Sequence, residues 1–210
     1  MKVEELLISL SQTELSNLAI GNDGDGRICD KDVDKLLIYL TDGLTKLFSK
    51  FVLRTVTTPL AIVPNVVHYS PNFPDTFKIL KVYSEVLKVF LPINNESSSL
   101  GVSIDAGMQI TLATTPTEAD VYTCTRQLNH EKVTKDNLDM VLVVPDVLMD
   151  ALRAYMAFKV YHNMNTQEAA AIAKVHLGNY TSILTDVRAE DLVMDSIIGS
   201  NQKFDNNGWV

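Results

Sequence analysis

Residues 21–30 read GNDGDGRICD and hold the densest group of potential oxygen ligands in the chain. If Gly26 takes the fixed glycine place of a calcium loop, Asp23 and Asp25 fall on two ligand places and Asp32 on the closing one. The opening ligand place then falls on Gly21, which has no side chain to give. The closing place holds Asp where a bidentate Glu is usual. A tight Gly/Asp turn between two helices is the simpler reading, and no metal site is expected. A calcium-binding regulatory module built on Asp23, Asp25 and Asp32 stays as a rival that a calorimetric titration tests.

Other reactive side chains are scattered. His68, His130, His162 and His176 show no metal spacing, although His162 and His176 flank one helix–helix turn and could approach each other. Cys29 and Cys124 lack a CxxC partner and an evident base, so neither reads as a nucleophile. No glycine-rich phosphate loop and no GxSxG elbow is present. No carboxylate pair is singled out for acid–base work. The chain reads as a protein that is not an enzyme and needs no cofactor.

The elements around these residues are legible by period. Val3, Leu6, Leu7 and Leu10 have helical spacing. Ser11 to Glu14 reads as a capping box that restarts a short helix through Leu15, Leu18 and Ile20. Val33, Leu36, Leu37, Leu40, Leu44, Leu47, Phe48 and Phe51 predict an amphipathic helix over about 31–50. Lys46, Lys50 and Arg54 form a modest basic patch at its end, read as solvated charge near a helix C-terminus.

Residues 51–127 are richer in β-branched and aromatic side chains and contain six of the seven prolines. FVLRTVTT, FKILKVYS, EVLKVFLPI, MQITLATT and ADVYTCTRQ are the strand candidates. Prolines at this density favour short or edge strands. Residues 128–144 read as a loop ending in an apolar strand, MVLVV. Pro145 opens a long helix whose Val147, Leu148, Ala151, Leu152, Tyr155, Met156, Phe158 and Tyr161 leave little polar face. Such a helix is buried, in part by a neighbouring subunit, with Tyr155 and Phe158 as candidates for the subunit interface. Asn165 to Glu168 caps the next helix, which runs to about 187. The class is therefore α+β: a mainly helical bundle, from helices at about 1–50 and 145–187, holding a small antiparallel β region at about 51–127.

After residue 198 the chain reads GSNQKFDNNGWV, a polar arm that carries Phe204 and the single tryptophan, Trp209. Large aromatics on a polar tail suggest a binding arm. The chain has 210 residues, 18 Lys and Arg against 26 Asp and Glu, and a net charge of −8. That length suffices for one domain with an appendage. The acidic balance argues against a free-standing nucleic-acid-binding domain. No apolar run is long enough to span a bilayer, so no membrane partner is expected. Nothing at residues 1–10 resembles a secretory signal.

Four stretches taken in order resemble the head-to-tail adaptor (connector) proteins of tailed bacteriophages, especially short-tailed ones. They are ELLISLSQTELSNLAIGNDGDGRI, VDKLLIYLTDGLTKLFSKFVLR, the helix pair VVPDVLMDALRAYMAFKVYHNMNTQEAAAIAKVHLGNYTSIL, and the terminal KFDNNGWV. The resemblance implies a structural virion protein at the head–tail junction, made in the host cytoplasm. It implies a homo-oligomeric ring, typically of twelve copies, beneath the portal protein, with a tail (nozzle or tail-tube) protein below. Genomic DNA would pass through the lumen without sequence-specific binding. It implies an adaptor domain over 1–198 and an extended arm over 199–210 that contacts the portal through Lys203, Phe204, Trp209 and Val210. Twelve copies at −8 each give a ring of about −96, whose lumen a duplex would not adhere to. A head-closure or tail-completion protein of a long-tailed phage, and a virion cell-wall hydrolase, are the remaining alternatives.

Overall fold

The computed structural model describes residues 1–18, 28, 30–95 and 98–193. These fall into two compact units, one from residues 1–53 and 130–193, the other from Arg54–Asn129. The class is mixed α+β, with four helices and two small antiparallel sheets among the described residues.

The first unit is helical: α1 (Val3–Gln12), α2 (Asp30–Lys50), α3 (Asp146–His162) and α4 (Gln167–Ala189). The buried residues of α1 are Val3, Leu6, Leu7 and Leu10, the stripe the period predicts. Its start is held by the Glu5 carboxylate, which accepts from the Lys2 backbone N–H at 2.8 Å. The predicted break at Ser11 is not found. Ser11 lies inside α1 and its hydroxyl donates to the Ile8 carbonyl at 2.8 Å, so it cannot serve as a cap. Residues 13–17 form turns rather than a second helix, and Leu15 is buried there.

The amphipathic helix predicted over 31–50 is α2. The apolar strand expected at 140–144 reduces to a single bridge, Lys2 to Val141, with Val3 N–H to Met140 O and Leu142 N–H to Met1 O both at 3.0 Å. A lone two-residue partner cannot extend a ladder. Pro145 is the N-cap of α3 rather than its first helical residue. The cap of α4 is Thr166, whose hydroxyl accepts from Ala169 N–H at 3.1 Å. Asn165 turns the chain into it at φ 54°, a left-handed conformation that Asn tolerates.

The second unit holds β1 (Thr55–Ile62), β2 (His68–Tyr69), β3 (Thr76–Ser84), β4 (Val89–Leu91), β5 (Val102–Ile104), β6 (Ile110–Leu112) and β7 (Asp120–Leu128). One sheet has the order β1-β7-β3-β4 and the other β2-β6-β5, all pairs antiparallel. Pro59 sits in β1, an edge strand, where its missing N–H costs no ladder bond. The two sheets share one core of Ile62, Ile79, Val82, Leu91, Val102, Ile110, Leu112, Tyr122 and Cys124. Arg126 is buried in β7 and clips its neighbours. It donates to Thr58 of β1 at 3.2 Å, to Thr76 of β3 at 2.6 Å and to the Pro74 carbonyl at 3.0 Å. The unit's two ends meet, because Leu128 N–H donates to Arg54 O at 2.9 Å.

Candidate functional site

The residues proposed to meet the portal, Lys203, Phe204, Trp209 and Val210, lie outside the described residues, as do Asp23, Asp25 and Cys29. Asp32 is half-buried at the start of α2. Among the described residues no group of three or more His, Cys, Asp or Glu gathers as a metal site would require.

Tyr155 and Phe158 lie on α3 at the junction with α2 and α4. Ten of the 17 residues of α3 are buried, whereas α4 buries five of 23. Tyr155 is only 3 % exposed and is covered by its own chain. Its hydroxyl donates to Asp42 Oδ2 of α2 at 2.5 Å, and its ring packs on Tyr180 of α4 with centroids 5.2 Å apart. Lys159 Nζ reaches the same Asp42 oxygen at 2.9 Å. One carboxylate therefore ties α2 to two residues of α3 one turn apart. Phe158 is half-buried, with its ring 6.0 Å from Tyr155 and 5.4 Å from His162.

The helices approach closely at Gly43, beside Asp42. A Cβ there would sit 2.7 Å from Leu152 Cδ1 and 3.1 Å from Tyr155 Cδ1. Glycine is the residue that lets α2 bring Asp42 within reach of Tyr155.

The electrostatics make this a lock. Burial opposes ionisation of Asp42, but the Tyr155 hydroxyl, Lys159 and Lys46 outweigh it and hold the carboxyl below its ordinary range. Burial, followed by the hydrogen bond to Asp42 and the charge of Asp42, pushes the Tyr155 phenol far above its ordinary value. A tyrosine that must keep its proton to donate to a carboxylate is not available as a general base. Two of the basic residues that the sequence left in solvent stand over rings: Lys46 lies 5.7 Å from the Tyr155 centroid and Lys50 5.5 Å from that of Tyr180; Lys159 of α3 also lies 5.7 Å from the Tyr155 centroid.

The remaining candidates disperse. His162 faces Phe158, whereas His176 stacks on Tyr161 at 5.5 Å and 12°. Burial lowers the His176 pKa against the opposing pull of Glu14. Cys124 is buried in the β core. Burial pushes its thiol up to about 11 despite Arg126, so it stays a thiol at neutral pH.

No protein-family model matches the chain, and no curated protein matches it.

The Asp42–Tyr155–Lys159 set has no sequence signature as a site. Asp42 and Tyr155 are 113 positions apart, and only the Gly43 next to Asp42 marks the place where two helices cross. What the arrangement does is tie α2 to α3, with the Tyr155 ring resting on Tyr180 of α4.

Proposed function

We propose that this chain is a structural virion protein, a head-to-tail adaptor that joins a portal ring to a tail protein and conducts the genome. The observation that carries the reading is the order of its elements: two N-terminal helices, a β insertion, a proline-led helix pair, then a polar arm with Phe204 and Trp209. The resemblance rests on four stretches of the sequence, three in the helical parts and one in the terminal arm. The locked helices supply a stiff frame, as a ring that transmits force between two assemblies needs.

In this reading the helices form the dominant bundle and residues 199–210 an extended arm. Lys203, Phe204, Trp209 and Val210 make the portal contact. Twelve extended residues reach about 40 Å, enough to cross to a neighbouring ring. Burying the two aromatics contributes roughly 3–6 kcal/mol, less than the cost of ordering the arm at about 1–2 kcal/mol per residue. Backbone pairing with the portal and avidity around twelve copies supply the remainder. Phe158, half-buried, gives its free edge to the next subunit, and Tyr155 backs it from within. The net charge of −8 favours passage of DNA over adhesion.

Native mass spectrometry with portal rings of the same virus tests this. Full-length chain is expected to add in a stoichiometry near twelve, and a chain truncated after Gln202 is expected not to add. Absence of any association by the full-length chain overturns the reading.

A further inference from the structure

We propose that one tip of the β unit is a preorganised docking surface for a second protein whose contact patch is apolar and basic. The register brings Ile62, Ser84, Val89 and Asp120 to one end of the four-stranded sheet. The end opposite is where the chain passes through Arg54 and Asn129. At the tip, the β3–β4 turn over 85–88 has all four backbone N–H groups bonded. Glu85 N–H donates to Val121 O at 3.1 Å and Val86 N–H to Asp120 Oδ1 at 3.0 Å. Leu87 N–H donates to Ser84 Oγ and Lys88 N–H to Ser84 O, both at 3.0 Å. Ser84 is fully buried and itself donates to Asp120 Oδ2 at 2.5 Å. The turn closes through Lys88 at φ 56°.

This much polar bonding holds out two apolar side chains. Val86 is 53 % and Leu87 49 % exposed, and Leu100 beside them is 52 % exposed. Nothing about the turn itself asks for Val and Leu, since polar residues suit an exposed turn better. Both line a cavity of about 210 Å³ together with Leu100, Leu112, Pro116 and Tyr122. The adjoining 62–67 loop is pinned as well. The Tyr69 hydroxyl accepts from Val63 N–H at 2.9 Å, and Asn65 N–H donates to Pro116 O at 2.9 Å. The cavity lining also holds the polar Thr114, Thr115 and Thr117, so an apolar knob held by hydrogen bonds stands beside a mixed hollow, the form of a site whose ordering cost is met before binding.

Charge identifies the occupant. Glu118 and Asp120 line the hollow, the Asp120 carboxylate being bonded to Ser84 and Val86, while Lys88 pairs with Glu85 on the surface at 3.2 Å. An acidic lining repels an anionic lipid surface. It also opposes a two-fold contact with the same tip of another copy, which would face like charge with like. The complement of this acidic, partly apolar surface is a different protein presenting an aliphatic or aromatic side chain flanked by Lys or Arg. The inference stands on the β unit alone and does not depend on the adaptor reading.

Methyl NMR of the full chain tests it with two peptides, Ac-KLFKKLFK-NH2 and its acidic counterpart Ac-ELFEELFE-NH2. The basic peptide is expected to give saturable shifts at Val86, Leu87, Leu100 and Leu112. The acidic one is expected to bind at least about tenfold more weakly. Leu87→Asp, and separately Val86→Ser with Leu87→Ser, are expected to abolish the response while methyl signals of the helical unit stay in place. No saturable shift up to about 1 mM peptide, or equal response to both peptides, overturns the proposal. So does flotation of the wild type, but not of Leu87→Asp, with phosphatidylglycerol-containing vesicles. Concentration-dependent dimerisation in sedimentation velocity that Leu87→Asp removes overturns it too, by making a second copy the occupant.

Discussion

The helical unit and the β unit use hydrogen-bonded polar groups in opposite directions. In the helical unit, Tyr155 and Lys159 both meet Asp42, and the effect is inward: α2 tied to α3 through one carboxylate, with the Tyr155 ring packed on α4. In the β unit, Ser84 and Asp120 are joined to a turn, and the effect is outward: Val86 and Leu87 held in solvent. The comparison teaches that a hydrogen-bond network is read by what it leaves exposed. A network that ends on helices stabilises; one that ends on a displayed apolar loop positions.

The largest test of the inward network is at the α2–α3 crossing. Leu152→Ala is expected to cost about 2–5 kcal/mol in urea unfolding, because the side chain is fully buried. Gly43→Ala alone forces Leu152 Cδ1 to move and is expected to cost about 1–3 kcal/mol. The double variant is expected to cost less than the two separately, by about 0.5–3 kcal/mol, since the new methyl occupies space that Leu152 vacates. Strict additivity would mean that the close approach is not what limits this crossing.

The outward network has a counterpart in Ser84→Ala. It leaves Leu87 N–H without its acceptor and Asp120 Oδ2 without the Ser84 donor, while Asp120 Oδ1 keeps Val86 N–H, with an expected loss of about 1–3 kcal/mol. Larger hydrogen-exchange rates at residues 86 and 87 than at residues of α3 would locate the effect in the turn. Uniform acceleration through both units would erase the distinction drawn here.

Asp42→Asn is expected to cost about 1–2 kcal/mol at neutral pH. Its folded pKa lies below the unfolded value, so the stabilisation is present above the ordinary carboxylate range. It is lost as pH falls through the folded pKa. Wild type and variant should therefore converge in stability at acid pH. A gap that stays constant down to pH 2 would show that the charge on Asp42 is irrelevant. The smallest expected effect is at a cap, with Thr166→Ala costing about 1 kcal/mol by loss of the bond to Ala169 N–H. A change of Asn165 to Ala of the same size or larger would shift the weight to the left-handed turn.

The helices were legible because their burial repeats every three or four residues over long spans. The α2 helix lies where Val33 to Phe51 predict it. Most of the strands were legible from their β-branched and aromatic residues between prolines, but β2 and β5 were not. At two and three residues they are too short to show any alternation. The segment at 140–144 misled in the opposite sense: its apolar run resembles a strand, but its pairing rests on one bridge to Lys2. Ser11 and Asn165 show the limit of cap reading, since a hydroxyl or amide near a helix end can turn inward or merely bend the chain. The Asp42–Tyr155 bond joins residues too far apart for any local pattern to mark. The β3–β4 turn was hidden because EVLK carries neither Gly nor Asn. Its left-handed residue is Lys88.

One hydrogen bond, between Leu128 N–H and Arg54 O, has a wider meaning. The chain leaves for the β unit and returns from it through neighbouring residues, so the unit hangs from its host by a doorway one strand-pair wide. Segments arranged in this way are separable pieces of inheritance. One can be exchanged, enlarged or dropped while the helices close over a short linker, because loop closure depends only weakly on length.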